Sequence, residues 1–376
     1  MNPWYSTPDG KTRARGAGIP FRGVPGTHNA ITDVPEIQVG YTTLIEGDSV
    51  RTGVTAILPR PIERLQTPVF AGCHSLNGNG ELTGTIWIEE AGRLEGPITI
   101  TNTHSCGLTR DATIKWMVDK QAGLTRWALP VAGETYDGLL NDINGFHVRD
   151  EHVFAALDGA STGPIEEGSV GGGTGMICYG YKGGSGTSSR IVEFAGTTFM
   201  VGAFVQANFG RLDQLTIAGV PVGRILGSVK PEDERGSIIG VVATDAPLLP
   251  HQLKRLARRI GLGVGRSGAI SGHGSGDIFL ALSTANEKAH HDDSTLANAS
   301  FIPNSRLDRI FEAVIQAVDE AVINSMFANE TMRGRNDVVV NAISHDQVRD
   351  VLQNHNVELA DCGRSTIAGD DGSRHE

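Results

Sequence analysis

An unbroken apolar run, Ser237-Ile238-Ile239-Gly240-Val241-Val242-Ala243, lies in the second half of the chain. In extended form it puts apolar side chains on both faces of a sheet, so it needs cover from two sides. That demand points to a layered fold. Further runs with strand character recur at residues 54–58, 97–103, 191–195, 199–206 and 276–285. Residues 191–195 and 199–206 flank Gly196-Thr197-Thr198 and predict a hairpin. Residues 110–123 have helical character. Residues 249–260 place Leu253, Leu256, Ala257 and Ile260 on one face and Lys254, Arg255, Arg258 and Arg259 on the other. That pattern is an amphipathic helix, opened by Pro250 in its first turn. A second, longer helix is expected after Ser305 as cap, with Asp308 at the capping-box position and Leu307, Ile310, Phe311, Val314, Val318 and Ala321 as its apolar face. Strands and helices do not alternate strictly, which favours a layered α+β fold over a doubly wound sheet.

Glycine is over-represented, with 49 among 376 residues, and it clusters between the apolar runs without a collagen-like period. Such clusters predict tight turns and close approaches of backbone. The first ~30 residues, rich in Gly and Pro, are expected to wrap the surface. Residues 231–235 should form an exposed charged turn, residues 287–305 a polar loop, and the last ~12 residues a disordered tail.

The formal net charge is −11 and no Lys/Arg stripe is present. A nucleic-acid binder relying on phosphate contacts would carry one, so that partner is excluded. No segment reaches ~18 consecutive apolar residues, so no membrane span is expected. The four cysteines, Cys73, Cys106, Cys178 and Cys362, show no paired spacing. With no export signal at the N-terminus, they read as reduced thiols in the cytoplasm.

Ser237 stands between the charged turn and the apolar run. Were the Gly236–Ser237 bond cut, its hydroxyl and a new α-amine would belong to one residue. An α-amine titrates near ~7.7–8.0 and can act as general base for that hydroxyl. Gly236 would suit the cut if the bond needs a strained backbone. Spacing and composition alone favour a serine that merely opens a strand after a turn, since Gly-Ser before a strand is commonplace.

Four stretches carry a family resemblance: residues 236–257, beginning Gly236-Ser237-Ile238-Ile239-Gly240; residues 134–145, beginning Glu134-Thr135-Tyr136-Asp137-Gly138; residues 171–190; and Gly272-His273-Gly274-Ser275-Gly276-Asp277-Ile278-Phe279. Together they resemble the L-aminopeptidase/D-Ala-esterase-amidase (DmpA) family, which includes the β-peptidyl aminopeptidases. The similarity runs from about Gly18 to Ile343.

The resemblance implies a four-layer αββα sandwich like that of other N-terminal-nucleophile hydrolases. It implies one catalytic domain, residues 1–376, self-processed into an α chain 1–236 and a β chain 237–376. It further implies homo-oligomers of αβ units, usually tetramers, that release N-terminal residues from peptides, amino acid amides and esters without a metal or organic cofactor. By residue, it assigns Ser237 as nucleophile and Asn208 as oxyanion donor. Ser275 and Asp277 become the hydroxyl–carboxylate pair beside the nucleophile. Glu134 is matched to the residue that binds the substrate's α-ammonium, and Tyr136 to one lining the oxyanion side. Glu134 and Tyr136, two apart, would share a face in an extended segment. On pattern alone, Asn208 also fits a turn before Gly210, Ser275 and Asp277 a turn into a strand, and Glu134 a surface acid.

Two other motifs are weaker. Gly171-Gly172-Gly173-Thr174-Gly175 lacks the Gly-Lys-Ser/Thr of a phosphate loop. Cys73-His74 and His104-x-Cys106 match no zinc spacing. A metal-dependent hydrolase using His74, His104 and a thiol would be recognised by its sensitivity to chelators. An unprocessed member acting as a binding protein would run as one uncut chain.

Overall fold

The computed structural model describes residues 2–120, 127–227, 236–290 and 296–361. The exposed turn expected at 231–235 and the disordered tail expected at the C-terminus lie outside the described residues.

The first half of the chain supplies β1 (Gln38–Glu46), β2 (Val50–Leu58), β3 (Val69–Gly78), α1 (Thr85–Ala91), β4 (Arg93–Leu94), β5 (Ile98–Asn102), α2 (Cys106–Lys120), β6 (Val131–Thr135) and α3 (Asp150–Asp158). There follow β7 (Ile177–Cys178), β8 (Tyr181–Lys182), β9 (Gly184–Phe194), β10 (Thr197–Asn208), α4 (Val222–Leu226) and β11 (Ser237–Thr244). The last elements are α5 (Pro250–Arg266), β12 (Gly276–Ser283), α6 (Asp308–Phe327), β13 (Met332–Arg333), β14 (Val339–Val340) and α7 (His345–Asn354).

Two sheets form the centre. One has four strands in the order β1-β2-β5-β6; the other has six in the order β4-β3-β12-β11-β10-β9. Pairing is antiparallel except for β5 with β6 and β11 with β12. Side chains of β11 explain the stacking. Ile239, Val241 and Ala243 enter the layer between the sheets, with Ile57, Ile100 and Val131. Ile238 and Val242 point the other way, into a core that also holds Leu253, Leu256 and Ile260 of α5 and Val314 and Val318 of α6. On the far side of the smaller sheet, Val54 and Ala56 pack with Trp116 of α2 and Val153 of α3. The layers are therefore helix, sheet, sheet, helix, and the doubly buried strand anticipated from the apolar run sits in the middle.

Three local expectations are corrected. The hairpin between β9 and β10 is tighter than drawn: Phe194 pairs with Thr197, leaving Ala195 and Gly196 as a two-residue turn. Both have positive φ, 49° and 80°, which suits the right-handed twist of the flanking strands. Ser305 does not cap α6. Asn304–Arg306 form a separate 3-10 turn, and Leu307 occupies the N-cap position without a side-chain cap. Leu307 is fully buried, so core packing fixes where the helix enters.

The N-terminal segment does not merely wrap the surface. Arg13 is buried and ion-paired with Glu167 at 2.5 Å. Arg15 and Arg190 both bind Glu320 at 2.7 Å, and Asn29 Nδ2 donates to the same carboxylate at 2.6 Å. Glu320 lies on the buried face of α6, so this cluster ties the N-terminal segment and β9 to that helix.

Burial alone would raise the Glu320 pKa, but Arg190 and then Arg15 override it and hold the carboxyl at about 2. Its folded value is thus depressed. The stability it contributes is complete above its ordinary value of 4.5 and is lost as pH falls toward 2. Glu320→Gln leaves the buried Arg190 and the part-buried Arg15 without their shared counter-charge. Urea unfolding at neutral pH should show a loss of about 3–5 kcal/mol. The variant should also lose less stability than the parent between pH 4.5 and 2.

Candidate active site

Ser237 is the first residue of β11, and the strands on either side end or begin beside it. The register pairs Ser237 with Asn208, the last residue of β10, and with Gly276, the first of β12. Residues far apart in sequence therefore meet at one end of the larger sheet, with Ser237 only 5% exposed.

Gly236 is required by crowding. A Cβ there would overlap the carbonyl oxygen of Asn208 and lie 2.7 Å from Phe209 Cα. The Gly236 carbonyl accepts the Gly276 N–H at 3.1 Å, a donor already aimed at the bond between residues 236 and 237.

Asp277 is buried one residue beyond Gly276. Its carboxylate accepts from Ser275 Oγ at 2.6 Å, from Ser271 Oγ and from the Ile238 backbone N–H. Burial raises its pKa against these three donors. The turn before it is pinned by Asn77 Nδ2, which donates to the carbonyls of Gly272 at 3.0 Å, His273 at 3.1 Å and Ser275. Opposite, β3 carries an irregularity: Asp277 pairs with Asn77 but Ile278 with Ser75. The sequence reading missed Asn77, since nothing local marks an asparagine that acts across ~200 residues of chain.

The side chain of Asn208 has a fixed orientation. Its Oδ1 accepts the Ile177 N–H at 2.8 Å, and its Nδ2 donates to the Tyr136 carbonyl at 2.9 Å. An amide nitrogen carries two hydrogens, so Nδ2 keeps a second one.

Glu134 and Tyr136 do not share a face. β6 ends at Thr135, so the alternation of a strand does not reach Tyr136. Glu134 is 2% exposed, whereas Tyr136 is 48% exposed. Glu134 is therefore not a surface acid. Its carboxylate accepts the Glu81 N–H at 3.0 Å and the Thr103 hydroxyl. It sits close to the β11–β12 pair. A Cβ added to Gly80 would lie 3.0 Å from Glu134 Oε1 and 3.3 Å from Gly276 Cα, so only that glycine separates them. Burial raises the Glu134 pKa, with the Thr103 and Glu81 donors opposing. Beside Gly80 opens a cleft of about 360 Å³, lined in part by Gly78, Leu82, Thr85 and Ile278.

Asp137, next in sequence to Tyr136, was not singled out from sequence. It is fully buried, and burial pushes its pKa to about 7 despite the hydrogen bond that Asn141 Nδ2 donates to Oδ1. The glycine-rich stretch serves packing. Gly171–Gly173 form a 3-10 turn, and a Cβ on Gly172 would overlap Gln206 Oε1 and meet Ile100 O at 2.5 Å.

The histidines of the metal reading are engaged elsewhere. His74 lies on β3 near Lys254 and Arg258, and His104 stacks on Phe146. Among the described residues no group of three His, Cys, Asp or Glu side chains could hold a metal ion.

A serine opening an internal strand of a two-sheet sandwich, flanked by an amide donor and a carboxylate, is the layout of an N-terminal-nucleophile hydrolase. Known proteins with the same architecture agree. The structure of an L-aminopeptidase D-Ala-esterase/amidase from Ochrobactrum anthropi, described as a prototype for the serine aminopeptidases and a variant of the Ntn hydrolase fold, superposes with a TM-score of 0.87 at 49% identity. The match covers 93% of this chain and 99% of that one. A β-aminopeptidase from Burkholderia sp. gives a TM-score of 0.86 at 45% identity, covering 91% and 99%. A β-peptidyl aminopeptidase, BapA, from Sphingosinicella microcystinivorans is 48% identical over 368 residues, which is 91% of this chain and 92% of that protein. The profile of Peptidase family S58 matches residues 29–340. The chain belongs to peptidase family S58 and is a serine-type aminopeptidase with the Ntn-hydrolase fold.

Proposed function

We propose that the chain cuts itself between Gly236 and Ser237 and that Ser237 then serves as the N-terminal nucleophile for substrates. The observation that carries this reading is the register placing Ser237 at a strand start between Asn208 and Gly276. In the mature enzyme the Ser237 α-amine takes the proton from its own Oγ as Oγ attacks the substrate carbonyl carbon. The charge on the carbonyl oxygen is met by the free Nδ2 hydrogen of Asn208, an interaction worth a few kcal/mol in sites of this kind. The proton passes to the leaving amine or alcohol, the C–N or C–O bond breaks, and the acyl group remains on Oγ. Water then releases it by the same steps in reverse. Asp277, held by Ser271 and Ser275 and hydrogen-bonded to the residue after Ser237, orients the amine from the β12 side. Glu134 pairs with the substrate's free α-ammonium, for which a poorly hydrated carboxylate is the natural partner.

The substrates are N-terminal residues of small peptides, amino acid amides and esters. β-Amino acid residues are included, because the relatives named above comprise β-peptidyl enzymes as well as an L-aminopeptidase. We assign the working form as a homo-oligomer of αβ units, a tetramer. Cys73 and Cys106 are free thiols, which supports a reducing, cytoplasmic setting. Two measurements test the reading. N-terminal sequencing of the separated chains should give Ser237-Ile238-Ile239 for the smaller one. A panel of L-, D- and β-amino acid p-nitroanilides should be hydrolysed with a free amine and resisted when acetylated. A single uncut chain, inactive on the whole panel, would assign the protein to binding instead.

A further inference from the structure

Lys182 is fully buried, and its ammonium donates to two backbone carbonyls, Met176 O at 2.9 Å and Gly183 O at 2.7 Å. It belongs to a small hairpin in which β7 pairs with β8, Ile177 opposite Lys182. The turn of that hairpin, Tyr179 and Gly180, has positive φ at both residues. It is anchored beside the candidate site by Tyr179 N–H donating to Phe209 O at 2.8 Å, one residue past Asn208.

The peptide group between Met176 and Ile177 connects the two side chains. Its carbonyl accepts from Lys182 Nζ; its N–H, on Ile177, donates to Asn208 Oδ1 at 2.8 Å. Carbonyl and N–H of one peptide are conjugated, so a cation on the oxygen makes the N–H a stronger donor. A stronger donor on Oδ1 polarises the Asn208 amide in turn and makes the hydrogens on Nδ2 more positive. The same contact sets direction. Ile177 N–H can only donate, so it holds Oδ1 toward itself and turns Nδ2 toward the Tyr136 carbonyl and the nucleophile strand.

We propose that Lys182 is a positioning residue which, through the Met176–Ile177 peptide, orients and polarises the Asn208 amide as oxyanion donor. This rests on the role given to Asn208 above. A buried ammonium whose partners among the described residues are backbone carbonyls is an expensive way to fill space, since an apolar side chain would avoid its desolvation. The titratable groups facing it are the Cys178 thiol, on its own hairpin, and Lys11, which is ion-paired with Asp9 at 2.6 Å. Burial lowers the Lys182 pKa to about 7. The charge therefore fades as pH rises through neutrality, and its help to Asn208 fades with it.

The test is a double-mutant cycle on the processed enzyme with an amino acid p-nitroanilide, using Lys182→Gln, Asn208→Ala and the pair. Lys182→Gln should lower kcat about tenfold, the scale of one charge-assisted contact, with KM within about twofold. It should also remove the fall in kcat above pH 7 that is expected of the parent as Lys182 loses its charge. Added to Asn208→Ala, it should lower kcat no further. Unchanged kcat in Lys182→Gln, or losses that multiply in the pair, would overturn the proposal while leaving Asn208 in place. An Asn208→Ala variant with full kcat would overturn the oxyanion assignment and Lys182 with it. Lys182→Met provides a second neutral variant, and thermal melts accompany both. If neither variant folds, Lys182 belongs to the core and the proposal falls.

Discussion

Ser237→Ala is expected to leave the purified chain whole at 376 residues and to remove aminopeptidase activity. The two losses share one cause. In the proposed mechanism, the hydroxyl that attacks the Gly236 carbonyl during processing is the hydroxyl that later attacks substrate. Without processing, moreover, no α-amine exists to act as base. Removal of a nucleophile from a serine hydrolase lowers kcat by on the order of a million-fold, so the residual rate should be lost in the background. The fold should survive. Ser237 is held in β11 by backbone pairing with β10 and β12, and losing one oxygen from a small side chain leaves that ladder intact. A denaturing gel and circular dichroism on the same sample separate the two effects. If Ser237→Ala still divides at 236/237, another group performs the cut and the nucleophile assignment is wrong.

The second large effect concerns the amine pocket. An amino acid amide and its N-acetyl form should differ by about 2–5 kcal/mol, because acetylation removes the ion pair and strands a desolvated carboxylate on Glu134. At ~1.4 kcal/mol per factor of ten, this is roughly thirty- to several-thousand-fold in kcat/KM. Glu134→Gln should slow free-amine substrates and shrink the gap. It should be tolerated structurally, since a glutamine oxygen can still accept the Glu81 N–H and its amide can donate to the Thr103 hydroxyl.

There is a pH signature as well. Burial raises the Glu134 pKa, so as pH falls through that raised value the carboxyl becomes neutral and loses its hold on an ammonium. KM for free-amine substrates should therefore rise on the acid side, and Glu134→Gln should flatten that limb. An intact free-amine preference in the variant would pass the role to another carboxylate, with Asp277 next in line.

Much of the architecture was legible without coordinates because it depends on local periodicity. The run beginning at Ser237 is apolar on both faces, and both faces are covered. The 3.6-residue pattern around Leu253, Leu256 and Ile260 marks the buried side of α5. Errors arose where distant packing decides. Leu307, not Ser305, sets the start of α6. The segment from Arg13 to Asn29 is drawn inward by Glu167 and Glu320, whose positions no nearby residue reveals. Glu134 and Tyr136 looked like neighbours on one face, but the strand stops between them.

The sequence by itself determined that Ser237 opens a doubly buried strand and that the family motifs accompany it, since both are properties of adjacent residues. Only the tertiary structure decided what stands around that serine. Asn208 and Gly276 reach it through strand register, Glu134 lies behind Gly80, and Asn77 pins the Ser275 turn from another strand. Lys182 is joined to Asn208 through a single peptide group. At Gly236 the Asn208 carbonyl occupies the space that a Cβ would need. These are contacts between segments that become neighbours only when the sheets pair, and register and crowding have no signature in a local run of residues.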